Sequence, residues 1–326
     1  MTQKPDLMLC TLVANPFDKA DWIFEPKLDG LRVLCAFDGR QWRLVSRNDK
    51  LQNSFFPDIV EGLRKSIRKQ VVLDGEIVCL DERGQSSFRL LQQRFHLTDP
   101  TRVTQRMKRF PAVLFVFDVL YLDHLDLRPL PLLERKKLLK KALRWSKVIR
   151  WIESVKQHGT RLFEQICRHG GEGIIAKDLS SRYTGGRSGV WLKIKCSGRQ
   201  EFVIGGFTDP QRSRVGFGAL LVGYFEEDGK TFRFAGKVGT GFNNKQLAEM
   251  RREFDRLEMK QSPFVDSEKI PRGEHVHFVK PQLVCEIAFG EWTQNDLLRQ
   301  PRFEGLRADK KATSVRRERA KALRPA

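Results

Sequence analysis

The stretch Phe24-Glu25-Pro26-Lys27-Leu28-Asp29-Gly30-Leu31-Arg32 constrains this chain more than any other. Apolar residues lead into it and Val33 to Phe37 lead out, so it reads as strand, polar turn, strand. Lys27 has a carboxylate two residues before it, another two after, and an arginine five after. A nucleophile, acids able to hold a cation and a phosphate ligand thus stand close together. Two readings follow: a site at which Lys27 takes a nucleotide covalently, or a β-hairpin whose charges are simply solvated. So short a pattern does not separate them. The order of charged clusters further along does.

Composition narrows the classes. Hydrophobic residues make up 40% of the 326 and charged residues 31%, which suits a folded chain long enough for two cores. Lys and Arg outnumber Asp and Glu by 60 to 40; the surplus of +20 fits a nucleic-acid partner, or else serves solubility. The six cysteines (Cys10, Cys35, Cys79, Cys167, Cys196, Cys285) show no Cys-x-x-Cys or paired Cys/His spacing, and most sit in apolar runs. They are expected to be reduced thiols in a reducing compartment, with no structural zinc. No apolar run reaches the roughly 18 residues of a membrane span and no signal-like segment opens the chain, which predicts an intracellular protein. Gly-x-x-x-x-Gly-Lys-Ser/Thr is absent, which excludes a P-loop.

Strands are predicted at Trp22–Lys27, Leu31–Phe37 and Trp42–Val45, with Asp38-Gly39 as a hairpin turn, and at Val71–Leu80, Ala112–Leu122, Gly173–Lys177 and Trp191–Lys195. Helices are predicted at Phe56–Lys69, Ser87–Phe95, Leu130–Trp145 and Val155–Arg168. Residues 1–21 read as a lead-in and Tyr183–Gly189 as a loop. Asp74 and Glu76 lie inside an apolar run, where an unpaired carboxylate is costly, so they either face a polar pocket or a cation or mark a bulge or edge with solvated acids. Asp118 sits midway along another such run. The basic residues of Leu130–Trp145, Arg135 and Lys136 among them, read as a solvated helix face or a nucleic-acid contact, the former being the commoner case. Alternation puts Lys193 and Lys195 on one strand face. Beyond Ser197, strands at Phe202–Phe207, Ala219–Phe225, Thr231–Lys237 and Pro281–Phe289 and a helix at Lys245–Leu257 suggest a small β-barrel. Lys311–Ala326 reads as a basic tail or short helix, mobile by default.

Taken in order, Lys27-x-Asp-Gly-x-Arg32, Ser46-Arg47-Asn48, Asp74-Gly75-Glu76, Phe117-Asp118, Glu172-Gly173 with Lys177, and Lys193-x-Lys195 resemble the nucleotidyltransferase motifs of ATP-dependent DNA ligases. Arg302 to Lys310 resembles the last motif of that family. Gly216 to Gly223, Gly236 to Phe242 and Glu291-Trp292-Thr293 resemble the ligase module of bacterial ligase D. The resemblance runs from about Leu9 to Lys310 and implies an α+β fold: a nucleotidyltransferase (adenylation) domain over 1–197, an OB-fold β-barrel domain over 198–312 and a basic tail over 313–326. It implies ATP-dependent sealing of 5′-phosphate/3′-hydroxyl breaks through a lysyl-AMP and a DNA-adenylate, in DNA break repair by end joining.

The resemblance also assigns roles. Lys27 is the nucleophile, Glu25 meets the adenine edge, Phe117 stacks on the base, and Arg32, Arg47 and Glu76 serve the ribose and phosphates. Glu172, Lys193 and Lys195 complete the nucleotide site, the two lysines offsetting charge on the α-phosphate. Asp29, Glu76 and Glu172 are the expected contacts of Mg²⁺ (or Mn²⁺), which prefers oxygen ligands. Arg187 is assigned to a DNA phosphate, and Asp309 and Lys310 to the pyrophosphate. Lys27 must lose its proton to attack, and nearby cations (Mg²⁺, Lys193, Lys195, Arg32) are expected to depress its pKa from about 10.4. The implied partners are nicked or broken double-stranded DNA and a Ku-like end-binding protein, with the chain acting as a monomer at the nucleoid of a bacterial cytoplasm. His124 stands where the family often has glycine. No polymerase, nuclease or helical DNA-binding module accompanies the motifs, so the two domains are expected to grip DNA themselves. An RNA ligase or GTP-using capping enzyme shares the lysine chemistry, and a basic binding module with a decayed site is the non-enzymatic alternative.

Overall fold

The computed structural model describes residues 5–95, 99–196, 198–211, 214–271 and 273–320. They form two compact units, the first reaching Cys196 and the second running from Gly198 to Arg319. The first contains β1 (Met8–Leu12), β2 (Lys19–Pro26), β3 (Leu31–Phe37), β4 (Trp42–Ser46), α1 (Pro57–Ser66), β5 (Val71–Cys79), α2 (Phe88–Leu91), α3 (Pro100–Arg109), β6 (Ala112–Leu122), β7 (Leu125–Asp126), α4 (Leu132–Ala142), β8 (Ile149–Trp151), β9 (Val155–Gln157), α5 (Gly159–Arg168), β10 (Gly173–Asp178) and β11 (Gly186–Lys195).

These strands make two sheets. One has the order β1-β11-β10-β2-β9; the other has β4-β3-β5-β6-β7, with β8 alongside β6. Strand alternation gives each sheet two faces. Phe24, Ile174, Ala176, Leu192 and Ile194 of the first sheet are buried with Leu162, Phe163 and Ile166 of α5. On the second sheet, Leu31, Val33, Leu73, Ile77, Leu114 and Val116 are buried with Ile59 and Leu63 of α1. Between the sheets, Ile23, Leu34, Val72, Phe117, Leu120, Tyr183 and Trp191 share a third core. Each fully buried aliphatic or phenyl side chain adds about 1.5–3 kcal/mol, which holds the sheets face to face.

Three expectations change here. Residues 1–21 are more than a lead-in, because β1 pairs with β11, and β11 begins at Gly186 inside the expected loop. Val155–Gln157 is a strand on β2 rather than a first helical turn: Gln157 has φ +72°, which α-helix excludes, so α5 starts at Gly159. The third concerns the thiols. Cys10, Cys35, Cys79 and Cys285 are free, but Cys167 and Cys196 form a disulfide with Cα atoms 5.3 Å apart. The last turn of α5 and the end of β11 meet beside β10, a proximity that a 29-residue separation without a spacing motif does not announce.

The second unit contains β12 (Gly198–Thr208), β13 (Leu220–Phe225), β14 (Phe232–Val238), α6 (Asn244–Leu257), β15 (Glu258–Met259), β16 (Val276–Val279), β17 (Val284–Phe289) and β18 (Arg302–Leu306). The antiparallel path β14-β13-β12-β17-β18 closes on itself where Thr240, just past β14, bridges Arg302. Five strands closed this way, with a helix between the third and fourth, make an OB-fold barrel. Asn243 and Gln246 form a capping box at the start of α6, and its Leu247, Met250 and Phe254 are buried in the barrel core with Phe207 and Phe217.

The segment after the barrel is not loose as far as Arg319. Ala312 and Val315 are buried, the Gln200 side chain bonds the Arg316 carbonyl and the Glu318 amide, and Arg317 pairs with Asp296 with its guanidinium 4.2 Å from the Trp292 ring centre. Apolar anchors and a stacked arginine override the expectation of mobility. Lys321 and Arg324 lie outside the described residues.

Candidate active site

The register of the first sheet places the candidate residues. Glu25, Ile175 and Lys193 lie side by side on β2, β10 and β11, and Ile23, Lys177 and Trp191 form the row two residues away. Lys27 extends the ladder: its amide donates to the Gly173 carbonyl at 2.8 Å, and Gly173 faces Lys195. Because alternate residues share a face, Glu25, Lys27, Lys177, Trp191, Lys193 and Lys195 all belong to the side opposite α5. Two glycines permit these approaches. Gly173 has φ +141°, and a Cβ there would lie 2.0 Å from the Ile194 carbonyl oxygen. A Cβ on Gly30 would lie 2.4 Å from the Ile77 carbonyl oxygen, so the turn after Lys27 fits against β5 only with glycine.

The Lys27 ammonium pairs with the Glu172 carboxylate, both largely buried. Burial works against the ammonium, but Glu172 first, then Asp29 and Glu76, outweigh it and hold Lys27 above the ordinary lysine range. That reverses the expectation of a depressed pKa as far as this chain's own groups are concerned. Glu172 is in direct contact with Lys27 and the charges of Asp29 and Glu76 act in the same sense, whereas Arg32 is paired with Asp74. Asp29 is fixed at the start of α2, where its Oδ2 accepts the Phe88 amide at 3.1 Å, and its own amide donates to Ser86 Oγ at 2.9 Å. Glu76 lies opposite Arg32 in the β3–β5 ladder. Three carboxylates around one lysine form a hard oxygen donor set, which suits Mg²⁺ chemically.

The other wall is built from buried ion pairs. Arg32 makes a two-pronged contact with Asp74 (3.0 and 2.7 Å), and Tyr183 Oη donates to the same carboxylate at 2.6 Å. Asp74 thus faces a cation, as expected, and that cation is one of the predicted nucleotide ligands. Phe117 is only 8% exposed; the Lys177 ammonium lies 4.3 Å and the Arg32 guanidinium 5.4 Å from its ring centre. Lys177 also stands 4.2 Å from the Trp191 ring, whose Nε1 is buried without an acceptor. An orphaned N–H beside an aromatic face and an ammonium suits the ring nitrogens of a heterocyclic base.

Two buried basic residues were misread as a solvated helix face. Lys136 of α4 pairs with Glu25, whose other oxygen accepts Lys177 at 2.7 Å. Burial raises the Glu25 pKa, but the two ammonium groups more than offset this and keep it below the usual carboxylate range. Neighbouring Arg135 makes a bidentate pair with Asp118 at 2.9 Å, both fully buried, and also donates to the carbonyls of Leu130 and Ser181. The available signal was indirect: Glu25 and Asp118 are acids in apolar strands and needed cations from somewhere.

The remaining predicted residues are Arg47 and Arg187 in the first unit and Asp309 and Lys310 in the second. Arg47 is exposed in the turn after β4. Arg187 is exposed on β11 and donates to the Cys10 carbonyl at 2.7 Å. In the second unit, Asp309 holds Arg307 by two contacts (2.9 and 3.1 Å), Arg307 reaches Glu286 at 2.9 Å, and Lys310 pairs with Glu201 at 3.0 Å.

One domain presents a lysine among carboxylates and the other is an OB-fold barrel, a pairing of folds that belongs to the nucleotidyltransferase class. The family profile for the ATP dependent DNA ligase domain matches residues 8–195, and that for the ATP dependent DNA ligase C terminal region matches residues 213–310. The chain belongs to the ATP-dependent DNA ligase family. It is 35% identical over 315 residues to the multifunctional non-homologous end joining protein LigD of Pseudomonas aeruginosa, an alignment covering 95% of this chain and 36% of that protein. It is 36% identical to the LigD DNA repair protein of Mycobacterium tuberculosis, covering 92% of this chain and 38% of the other. A solved structure of mycobacterial DNA ligase D complexed with ATP and MES aligns with a TM-score of 0.68 at 33% identity, covering 96% of this chain and 98% of that one. The chain therefore spans under two-fifths of the length of these LigD relatives. Among the described residues no helix is long and apolar enough to cross a membrane.

Proposed function

We propose that this protein seals breaks in double-stranded DNA with ATP, using Lys27 as the covalent carrier of AMP. The observation that carries the reading is the Lys27–Glu172 pair within a carboxylate set, on the sheet face that also holds Lys193 and Lys195. The Lys27 amine attacks the α-phosphorus, the bond to pyrophosphate breaks, and the amine proton goes to solvent or to a neighbouring carboxylate. A 5′-phosphate oxygen of the DNA then displaces Lys27, and a 3′-hydroxyl oxygen displaces AMP to close the strand. Asp29, Glu76 and Glu172 would hold a divalent cation, whose charge withdraws their grip on the Lys27 proton and shields the phosphates. Lys193 and Lys195 offset charge growing on the α-phosphate. Trp191, Lys177 and Phe117 receive the base, and Arg187 takes a DNA phosphate. Asp309 and Lys310 act on the pyrophosphate side. Similarity to proteins named for non-homologous end joining supports a place in end joining; a Ku-like partner, a monomeric state and a nucleoid location belong to the same proposal.

The test is the intact mass of demonstrably unmodified protein after incubation with Mg²⁺ and either ATP or GTP, alongside Lys27→Ala. One adenylyl group gained with ATP alone, and none in the variant, is the expected result. A guanylyl gain would assign capping chemistry instead, and no gain with either nucleotide would overturn the proposal. Sealing of a nicked duplex then separates DNA from RNA as substrate.

A further inference from the structure

Asp209, His275 and His277 gather on the OB-fold barrel, in the second unit and outside the ligase motifs. His277 lies on β16, opposite Phe207 of β12 in the ladder. His275 precedes it by two residues, just before β16 begins, and Asp209 directly follows β12. The Asp209 amide donates to the His275 carbonyl at 3.1 Å, which ties the two segments. The His277 ring stacks on Phe207 with centres 4.8 Å apart and planes 8° from parallel, which fixes where its nitrogens point.

Three ligand groups converge. His277 Nε2 lies 2.8 Å from Asp209 Oδ1, His275 Nδ1 lies 3.2 Å from His277 Nε2, and His275 Nδ1 lies 3.3 Å from Asp209 Oδ2. Ligands at 2.0–2.1 Å from a tetrahedral ion stand about 3.3 Å from one another, and these separations of 2.8–3.3 Å, with either Asp209 oxygen available, are close to that spacing. Glu258 of β15 approaches the other His277 nitrogen, Nδ1, at 3.0 Å. A carboxylate accepting the second N–H of a ligating histidine is the usual orienting contact of such sites. As hydrogen bonds alone the cluster is satisfied by an imidazolium His277 donating to Glu258 and Asp209, with His275 Nδ1–H turned to the other Asp209 oxygen. A cation at Nε2 satisfies every group with a neutral His277.

We propose that Asp209, His275 and His277 bind a first-row transition-metal ion of the Zn²⁺ class. Glu258 orients His277, and water completes the coordination. Two imidazoles and one carboxylate favour Zn²⁺, Co²⁺, Ni²⁺ or Cu²⁺ over Mg²⁺ or Ca²⁺. The ion clamps the turn after β12 to β16. The clue in the sequence is His275-x-His277 at the start of a strand, which a search for cysteine pairs passes over.

The experiment is equilibrium dialysis of the chelator-stripped full chain against Zn²⁺ and, separately, Mg²⁺. Visible absorption with Co²⁺ reports on the geometry. His275 and Asp209 are exposed, so His275→Ala and Asp209→Asn leave the barrel folded. The wild type should bind one Zn²⁺ more than either variant, with a tetrahedral Co²⁺ band lost in both and a melting temperature raised by Zn²⁺ in the wild type alone. Glu258→Gln should weaken Zn²⁺ binding about tenfold or more. Lys27→Ala should leave it unchanged, separating this site from the nucleotide site. Equal Zn²⁺ uptake by wild type and His275→Ala, or none by either, would overturn the proposal.

Discussion

Lys27 and Glu172 form an ion pair whose two halves are placed by a single backbone contact, the Lys27 amide on the Gly173 carbonyl at 2.8 Å. The nucleophile and its counter-charge therefore sit at the ends of adjacent strands, and the sheet register sets their distance.

Replacing Glu172 should separate charge from shape. In Glu172→Gln the lysine loses its nearest carboxylate and the proposed cation loses a ligand, while the side-chain volume is kept. The rate of adenylyl transfer to Lys27 at saturating ATP and Mg²⁺ should fall at least about tenfold, one effective charge contact being worth over 1.4 kcal/mol in the transition state. Quench-flow mass analysis measures this; an unchanged rate would remove Glu172 from the mechanism.

The Arg135–Asp118 pair is fully buried on both sides. Removing either partner leaves an uncompensated charge, so Arg135→Leu and Asp118→Leu should each cost about 3–5 kcal/mol. The double variant should recover much of that loss. Urea unfolding of the four proteins tests the cycle, and additive losses would show that the two residues do not act as a pair.

Glu25 predicts an acid limb of stability. Its folded pKa is depressed, so its contribution is fully present above the unfolded value of about 4.3 and is lost as pH falls through the folded value. Thermal unfolding of Glu25→Gln should show lower stability near neutral pH, because Lys136 and Lys177 lose their shared partner. Its decline toward acid pH should also be shallower than in the wild type.

The Cys167–Cys196 bridge closes a loop of 29 residues, worth about 3–4 kcal/mol on the loop-entropy account. Cys196→Ser should lower the melting temperature of the first domain to that of the wild type treated with a dithiol reductant, and reductant should not lower it further. A wild type indifferent to reductant would refute the bridge.

The Asp123-His124 turn shows how local chemistry and folded geometry combine. Both residues have positive φ, 50° and 73°, in the hairpin joining β6 to β7, a conformation that glycine adopts at least cost. The departure at His124 was visible in the sequence, but its left-handed backbone was not.

What the sequence determined by itself is local. The strand–turn–strand around Lys27, the apolar strands around Asp74 and Asp118, and the order of motifs are properties of short windows, where periodicity and charge spacing act directly. The barrel strands β12, β13, β14 and β17 and the helix α6 were legible for the same reason, whereas β16 and β18 were too short to stand out. Only the tertiary structure decided which charges meet. Lys136 reaches Glu25 across 111 residues, Arg32 spends its charge on Asp74, Cys167 finds Cys196, and Asp209 joins His275 and His277. Such pairs depend on sheet register and helix placement, and the energies of the buried ion pairs among them appear only when burial removes the solvent that would otherwise screen each charge alone.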